Sequence, residues 1–180
     1  DDAVWVPTVF SKNRERLIAH DAVVEFFNQV VNQAQAQELL SGEHFSVDGT
    51  LIQAWAGHKS FVRKDGKDDD DGGDFRGKTR SNETHESSTD PDSRLFCKGK
   101  TASELRFMGH TLMENRNGLL VDLHVAGVLD ETEREAALRM LERSVPGRHR
   151  VTVAADKGYD THGFVDGCRE LRVTPHVAQN

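Results

Sequence analysis

The sequence predicts a mixed α/β domain, and three observations lead there. Two strand-like runs, 105–113 and 119–128, flank Asn115-Arg116-Asn117-Gly118. An Asn-Gly pair between such runs is a strong hairpin signal, because both residues tolerate positive φ. Downstream, a helical pattern, a short apolar strand, another helix and another strand alternate. Upstream, apolar residues recur at helical spacing ahead of a single short strand. One hairpin among alternating elements describes a mixed sheet with flanking helices, not a regular βαβ repeat.

Taken in order, residues 11–40 read as helical. Leu17, Val23, Val24, Phe26, Phe27, Val30 and Val31 are mostly three, four and seven apart, the period of a one-sided helix. Ser11 is placed to cap the first turn, and Asp21 a second helix after a break near His20. Ser41-Gly42 stops the segment. Its cations are Lys12, Arg14 and Arg16 alone, so it reads as a hairpin packing on a neighbour, not as a DNA-reading helix. Residues 44–52, apolar-rich and bounded by Gly42, suit a strand carrying Val47 and Asp48.

From 64 to 93 the pattern vanishes. The run 67–73 and the polar stretch 81–88 hold almost nothing able to offset the entropy of ordering, so a flexible, disordered acidic insert is expected. The aspartate run lacks the spaced ligands and closing glutamate of a calcium loop. Residues 65–93 carry ten acids against four bases, nearly all of the formal charge of -7, which leaves the remainder close to neutral.

Past the hairpin, Asp130 is placed to cap a helix over 131–144, with acids in its first turn and Arg139 and Arg143 near its end. Ala137, Leu138, Leu141 and Val145 form its apolar face, and Pro146-Gly147 ends it. The strand 151–155 delivers Asp156 at its carboxyl end. A helix over 161–170 and a strand over 172–177 follow. A sheet of this kind usually has a further covering element there, so a final helix is expected to be missing.

The 180 residues suit one domain with an appendage. Cys97 and Cys168 have no metal-ligand spacing and cannot form a disulfide framework, which favours a reducing compartment. No apolar run approaches the roughly 18 residues of a membrane span. The nine histidines give no paired-ligand spacing.

Two aspartates stand at strands, next to glycine, inside apolar stretches: Asp48 in Phe45-Ser46-Val47-Asp48-Gly49-Thr50, and Asp156 in Ala154-Ala155-Asp156-Lys157-Gly158. If their strands are neighbours, both carboxylates emerge at one edge and can share a divalent ion; a third would complete a two-metal site for phosphoryl chemistry. The same pattern also suits turn or cap residues.

The context of Asp48, the stretch from Met108-Gly109-His110 to Glu114-Asn115-Arg116-Asn117-Gly118-Leu119, and Glu133-Arg134-Glu135-Ala136-Ala137 come in a family order. Ala155-Asp156-Lys157-Gly158-Tyr159-Asp160 and Val173-Thr174-Pro175-His176-Val177-Ala178-Gln179-Asn180 continue it. From about Phe10 to Asn180, apart from the acidic insert, the chain resembles the bacterial insertion-sequence transposases of the DDE type, the group filed with the fourth and fifth insertion sequences. The resemblance implies a ribonuclease-H-like catalytic domain over 43–180 with its flexible insert at 64–93. It makes the helical segment 1–42 the end of an N-terminal domain. It also implies magnesium or manganese as cofactor, two ions in the complete enzyme, held by Asp48, Asp156 and a glutamate.

By the same resemblance, water attacks a phosphodiester at the element end, and the freed 3′-hydroxyl then attacks target DNA. Implied partners are the terminal inverted repeats, target DNA and further copies in a homo-oligomer, in the bacterial cytoplasm at the nucleoid, with no membrane. Lys157, beside Asp156, is placed to meet a phosphate. Lys98, Lys100 and Arg106, with Arg94, form a basic patch. The family's glutamate lies on a helix beyond the last strand. Glu170 comes too early and Glu114 sits in the hairpin, so neither fills that place, and an inactive or partial, C-terminally truncated fragment is expected.

Two other readings compete. One is a non-catalytic transposase remnant that binds DNA or other subunits. The other is a haloacid-dehalogenase-type phosphatase, whose Asp-x-Asp-Gly-Thr signature resembles Ser46-Val47-Asp48-Gly49-Thr50; there Ser46 occupies the nucleophile position without an evident base.

Overall fold

The computed structural model describes residues 6–66, 80–97, 99, 102–145 and 150–179. The chain divides into two compact units, Asp1–Ser41 and Gly42–Asn180. The first holds α1 (Pro7–Ala19) and α2 (Ala22–Ala36), and neither helix has a buried residue. The start of α1 is set by Pro7, whose fixed φ suits a first helical position. Ser11 therefore lies inside the helix instead of capping it. Asp21 breaks the two helices through a left-handed backbone (φ 50°), and its side chain makes no capping bond. Its role is conformational, not the cap expected of it.

The second unit is built on β1 (His44–Gln53). Short strands β2 (Phe61–Arg63), β3 (His85–Ser87) and β4 (Arg94–Phe96) precede the long hairpin of β5 (Glu104–Glu114) and β6 (Leu119–Gly127). Then come α3 (Glu133–Ser144), β7 (Val151–Ala155), α4 (His162–Glu170) and β8 (Val173–Val177). The main sheet runs β4-β5-β1-β7-β8, with β6 also on β5. In it β1 is antiparallel to β5 and parallel to β7, and β8 continues parallel. This is the mixed sheet with flanking helices expected from the sequence, in a ribonuclease-H-like arrangement.

Local chemistry explains the key joints. Gly118 (φ 67°) closes the β5–β6 turn, and buried Glu114 accepts the amides of Arg116 (3.1 Å) and Asn117 (3.3 Å) through one oxygen. The cap of α3 is Thr132, in a reciprocal box with Glu135. Asp130, the expected cap, instead accepts the Gly127 amide in the turn after β6. A threonine followed three residues later by glutamate satisfies two donors at once, and that moves the helix start to Glu133.

One face of the sheet is covered. Phe45 and Val47 of β1, Leu112 of β5 and Val151 and Val153 of β7 pack with Met140 and Leu141 of α3 and Phe164 and Cys168 of α4. Gly167 lets the two helices close up: a Cβ there would stand 2.6 Å from a methyl of Leu138.

Of the disordered insert expected over 64–93, the described part 80–93 is ordered instead. β3 pairs antiparallel with β2, with Phe61 opposite Ser87. His85 stacks on Phe61 with centroids 5.4 Å apart. The Ser87 hydroxyl bonds that of Ser60, and the Asn82 amide spans both the N–H and the carbonyl of Leu95. Order here comes from side-chain-to-backbone bonds around a single aromatic, which a hydrophobicity count does not register. Residues 67–79, and the helix stop at Pro146-Gly147, lie outside the described residues.

Candidate active site

The parallel register of β1 on β7 pairs His44 with Thr152, Phe45 with Val153 and Ser46 with Ala154. Asp48 stands two residues beyond Ser46 on β1, and Asp156 two residues beyond Ala154, just past the end of β7. β7 ends at Ala155 and the chain leaves it in a 3₁₀ turn, Lys157–Tyr159. The edge of β1 is therefore open from Asp48 onwards. The two residues are 108 positions apart in sequence.

Each carboxylate is held by one oxygen. Asp48 Oδ1 accepts the Gly49 amide and Asp156 Oδ1 the Gly158 amide, both at 2.8 Å. The other oxygen of each has no hydrogen bond among the described residues, and both side chains are exposed. Two oriented carboxylates, each with a free oxygen, form a donor set that suits a hard cation such as magnesium or manganese. Among the described residues, no three His, Cys, Asp or Glu side chains are grouped so that they could hold one ion.

In the turn after Asp156 lies Tyr159, 1% exposed, edge-on to Phe164 at 5.2 Å. Burial pushes its phenol pKa up, and the negative charges of Glu133, Asp48 and Asp156 add to the shift against Arg134. The first turn of α3 touches both aspartate-bearing elements. Arg134 donates from Nη1 to the Gly158 carbonyl at 3.0 Å. The Glu133 side chain occupies the space over Gly49, 3.0 Å from where a Cβ would stand. Sequence reasoning assigned neither residue a part in the site. The nearest signal was Gly49 itself, an extended-strand glycine with no turn to justify it.

Other expected positions are dispersed. Lys157 is exposed beside Asp156. Arg106 is mostly buried and ion-paired with Glu104 at 2.6 Å. Arg94 donates to the carbonyls of Pro91 and Ser93. Lys98 and Lys100 lie outside the described residues. No helix among the described residues is long and apolar enough to cross a membrane.

Among known protein families, the model of the transposase DDE domain matches residues 40–179 of this chain. Comparison with curated proteins and with solved structures gives no match.

Proposed function

We propose, because the chain belongs to the family of transposase DDE domains, that Asp48 and Asp156 hold the divalent metal used in cutting and joining DNA. The observation that carries this reading is that each follows by two residues the Ser46–Ala154 pair joining two parallel neighbours, with one oxygen fixed and one free. When bound, magnesium or manganese supplies Lewis-acid stabilisation of charge on phosphate oxygens.

The chain's own groups do the positioning. The Gly49 and Gly158 amides restrain the two carboxylates, so little ordering remains to be done when a cation arrives. Tyr159, buried and neutral, forms a floor that does not compete as an anion. Lys157 meets a DNA phosphate from the exposed side. The reaction served is in-line phosphoryl displacement, first by water at an element end and then by the freed 3′-hydroxyl on target DNA. In the same reading the protein works as an oligomer on terminal inverted repeats, in the bacterial cytoplasm, with segment 1–42 closing a preceding domain and 43–180 carrying the catalytic one.

Calorimetric titration with Mn²⁺ tests the site, with nicking of supercoiled DNA alongside. Asp48→Asn and Asp156→Asn should each weaken Mn²⁺ binding about tenfold or more, and chelation or either substitution should remove nicking. Unchanged Mn²⁺ affinity in both variants overturns the metal site. Nicking that survives both removes these aspartates from the chemistry. Intact Mn²⁺ binding with no nicking by the unsubstituted chain fits the inactive or partial fragment or the non-catalytic remnant, and overturns a cutting role for this chain alone.

A further inference from the structure

We infer that Trp55 is a stacking platform for an unpaired DNA base, with Lys59 beside it to meet the strand's phosphates. The inference rests on the DNA reading above, names the form of DNA that one surface takes, and does not use the metal.

The indole is held outwards by its neighbours. Trp55 is 96% exposed, whereas tryptophan is on average a highly buried residue. Ala54 and Ala56 pack on the small core of Phe61 and Leu105, and the Ala54 amide donates to the Leu105 carbonyl at 2.9 Å. Alternation along the extended chain then sends the residue between them to water. Ser60 closes the following turn, its hydroxyl donating to the Gly57 carbonyl at 2.7 Å. The backbone under Trp55 is thus anchored on both sides, with two small side chains in the core and the largest one displayed. An aromatic on a fixed backbone loses little freedom when a planar partner stacks on it.

Charge points to the partner. Residues 49–64 contain no aspartate or glutamate and three cations, Lys59, Arg63 and Lys64, in a chain of formal charge -7. Arg63 pairs with Asp65, and Lys64 donates to the Asn82 carbonyl. Lys59, in the 3₁₀ turn His58–Ser60, is exposed and has neither a hydrogen bond nor an ion pair among the described residues. An aromatic face beside a cation and away from acids suits a nucleotide, with a π-surface for the base and a counter-charge for its phosphate. A shallow cleft of about 410 Å³, lined by Gln53, Ala54, Trp55, Ala56 and Gly57, gives the base a recess beside the ring. A paired base hides both faces in the duplex stack, so the ligand is an unpaired one, in a single strand or extruded from a duplex. Trp55 lies seven residues beyond Asp48, at most about 25 Å along the chain. That is less than one turn of duplex, about 34 Å, so one DNA molecule can span both.

The test uses the full chain in chelator, which separates its outcome from the metal reading of Asp48 and Asp156, with fluorescein-labelled oligothymidylate as the probe. By anisotropy, Trp55→Ala should weaken binding about fivefold to a hundredfold, whereas Trp55→Phe, which keeps an aromatic face, should stay within about threefold of the unsubstituted chain. Val62→Ala, which trims another exposed apolar side chain, should leave affinity unchanged. Lys59→Ala should make the salt slope shallower by about 0.7, the share of one phosphate contact on a single strand. Trp5→Phe leaves Trp55 as the one indole of the chain, and saturating oligothymidylate should quench its emission. Unquenched emission, equal affinity in Trp55→Ala and the unsubstituted chain, or no binding of the oligonucleotide overturns the inference. Unchanged DNA affinity with a smaller sedimenting species in Trp55→Ala also overturns it and gives the patch to a second copy of the chain. If Trp55→Ala does not fold, the emission of Trp5→Phe decides.

Discussion

His110 lies fully buried on β5, and neither ring nitrogen has a hydrogen bond among the described residues. Its ring stacks with that of His124 at 6.1 Å, His124 pairs with Glu131, and Arg139 faces the same carboxylate at 3.1 Å. Burial lowers the His110 pKa below its ordinary 6.5; Glu131 opposes the shift and His124 adds to it. A histidine depressed in the folded state binds its proton more readily when unfolded. Its contribution to stability is therefore complete above the ordinary histidine range and is lost as pH falls through that range towards the folded value. The melting temperature should drop between pH 7.5 and pH 5.5 by more in the unsubstituted chain than in His110→Leu. Parallel curves would show that His110 titrates alike in the folded and unfolded states. The sequence marks His110 only within the Met108-Gly109-His110 block and not as a buried residue, because its burial follows from the β5–β6 pairing and not from its neighbours in the chain.

At the level of elements, what was legible had a period long enough to read. β1, the β5–β6 hairpin, β7 and the two helices beside them carry apolar alternation or helical spacing over five residues or more. Their order fixed which strand ends would share an edge. The starts of α1 and α3 were misplaced because Pro7 and the Thr132–Glu135 box outcompete Ser11 and Asp130, a contest between good local signals. β2, β3 and β4 have three residues each, too few for a period, and are held by Asn82, Ser60 and Ser87. The closeness of Glu133 to Gly49 was illegible for another reason: it arises only because α3 packs on β1. Removing the aromatic at the centre of the small second core should expose the difference. Phe61→Ala should cost about 3 kcal/mol in urea unfolding, and amide exchange over 85–87 should accelerate well before that of β1 and β5. Exchange over 85–87 already as fast as in an unstructured chain, before any substitution, would restore the disordered-insert reading.

Over the whole molecule, charge decides how DNA is approached. The chain carries a formal -7, and many described arginines are already paired, Arg63 with Asp65, Arg106 with Glu104, Arg143 with Asp122 and Arg169 with Asp166. Under the proposed reading, Asp48 and Asp156 add negative charge at the edge where a phosphate arrives, with Lys157 the adjacent exposed cation. Duplex affinity rests on cationic contacts, each contributing about -0.9 to the slope of log affinity against log salt. With Lys157 the cation beside an acidic edge, a docking there gives a shallow slope, and phosphate approach depends on the divalent ion. Binding to duplex DNA should therefore weaken about tenfold or more on chelation, with a salt slope of roughly -1 to -3 in Mn²⁺. Lys157→Ala should make the slope shallower by about one contact. Fluorescence anisotropy across a salt series, with and without chelator, measures all three. A slope near -6 that persists in chelator would mean that a basic surface elsewhere carries the DNA, and that the aspartate edge is not where the duplex first docks.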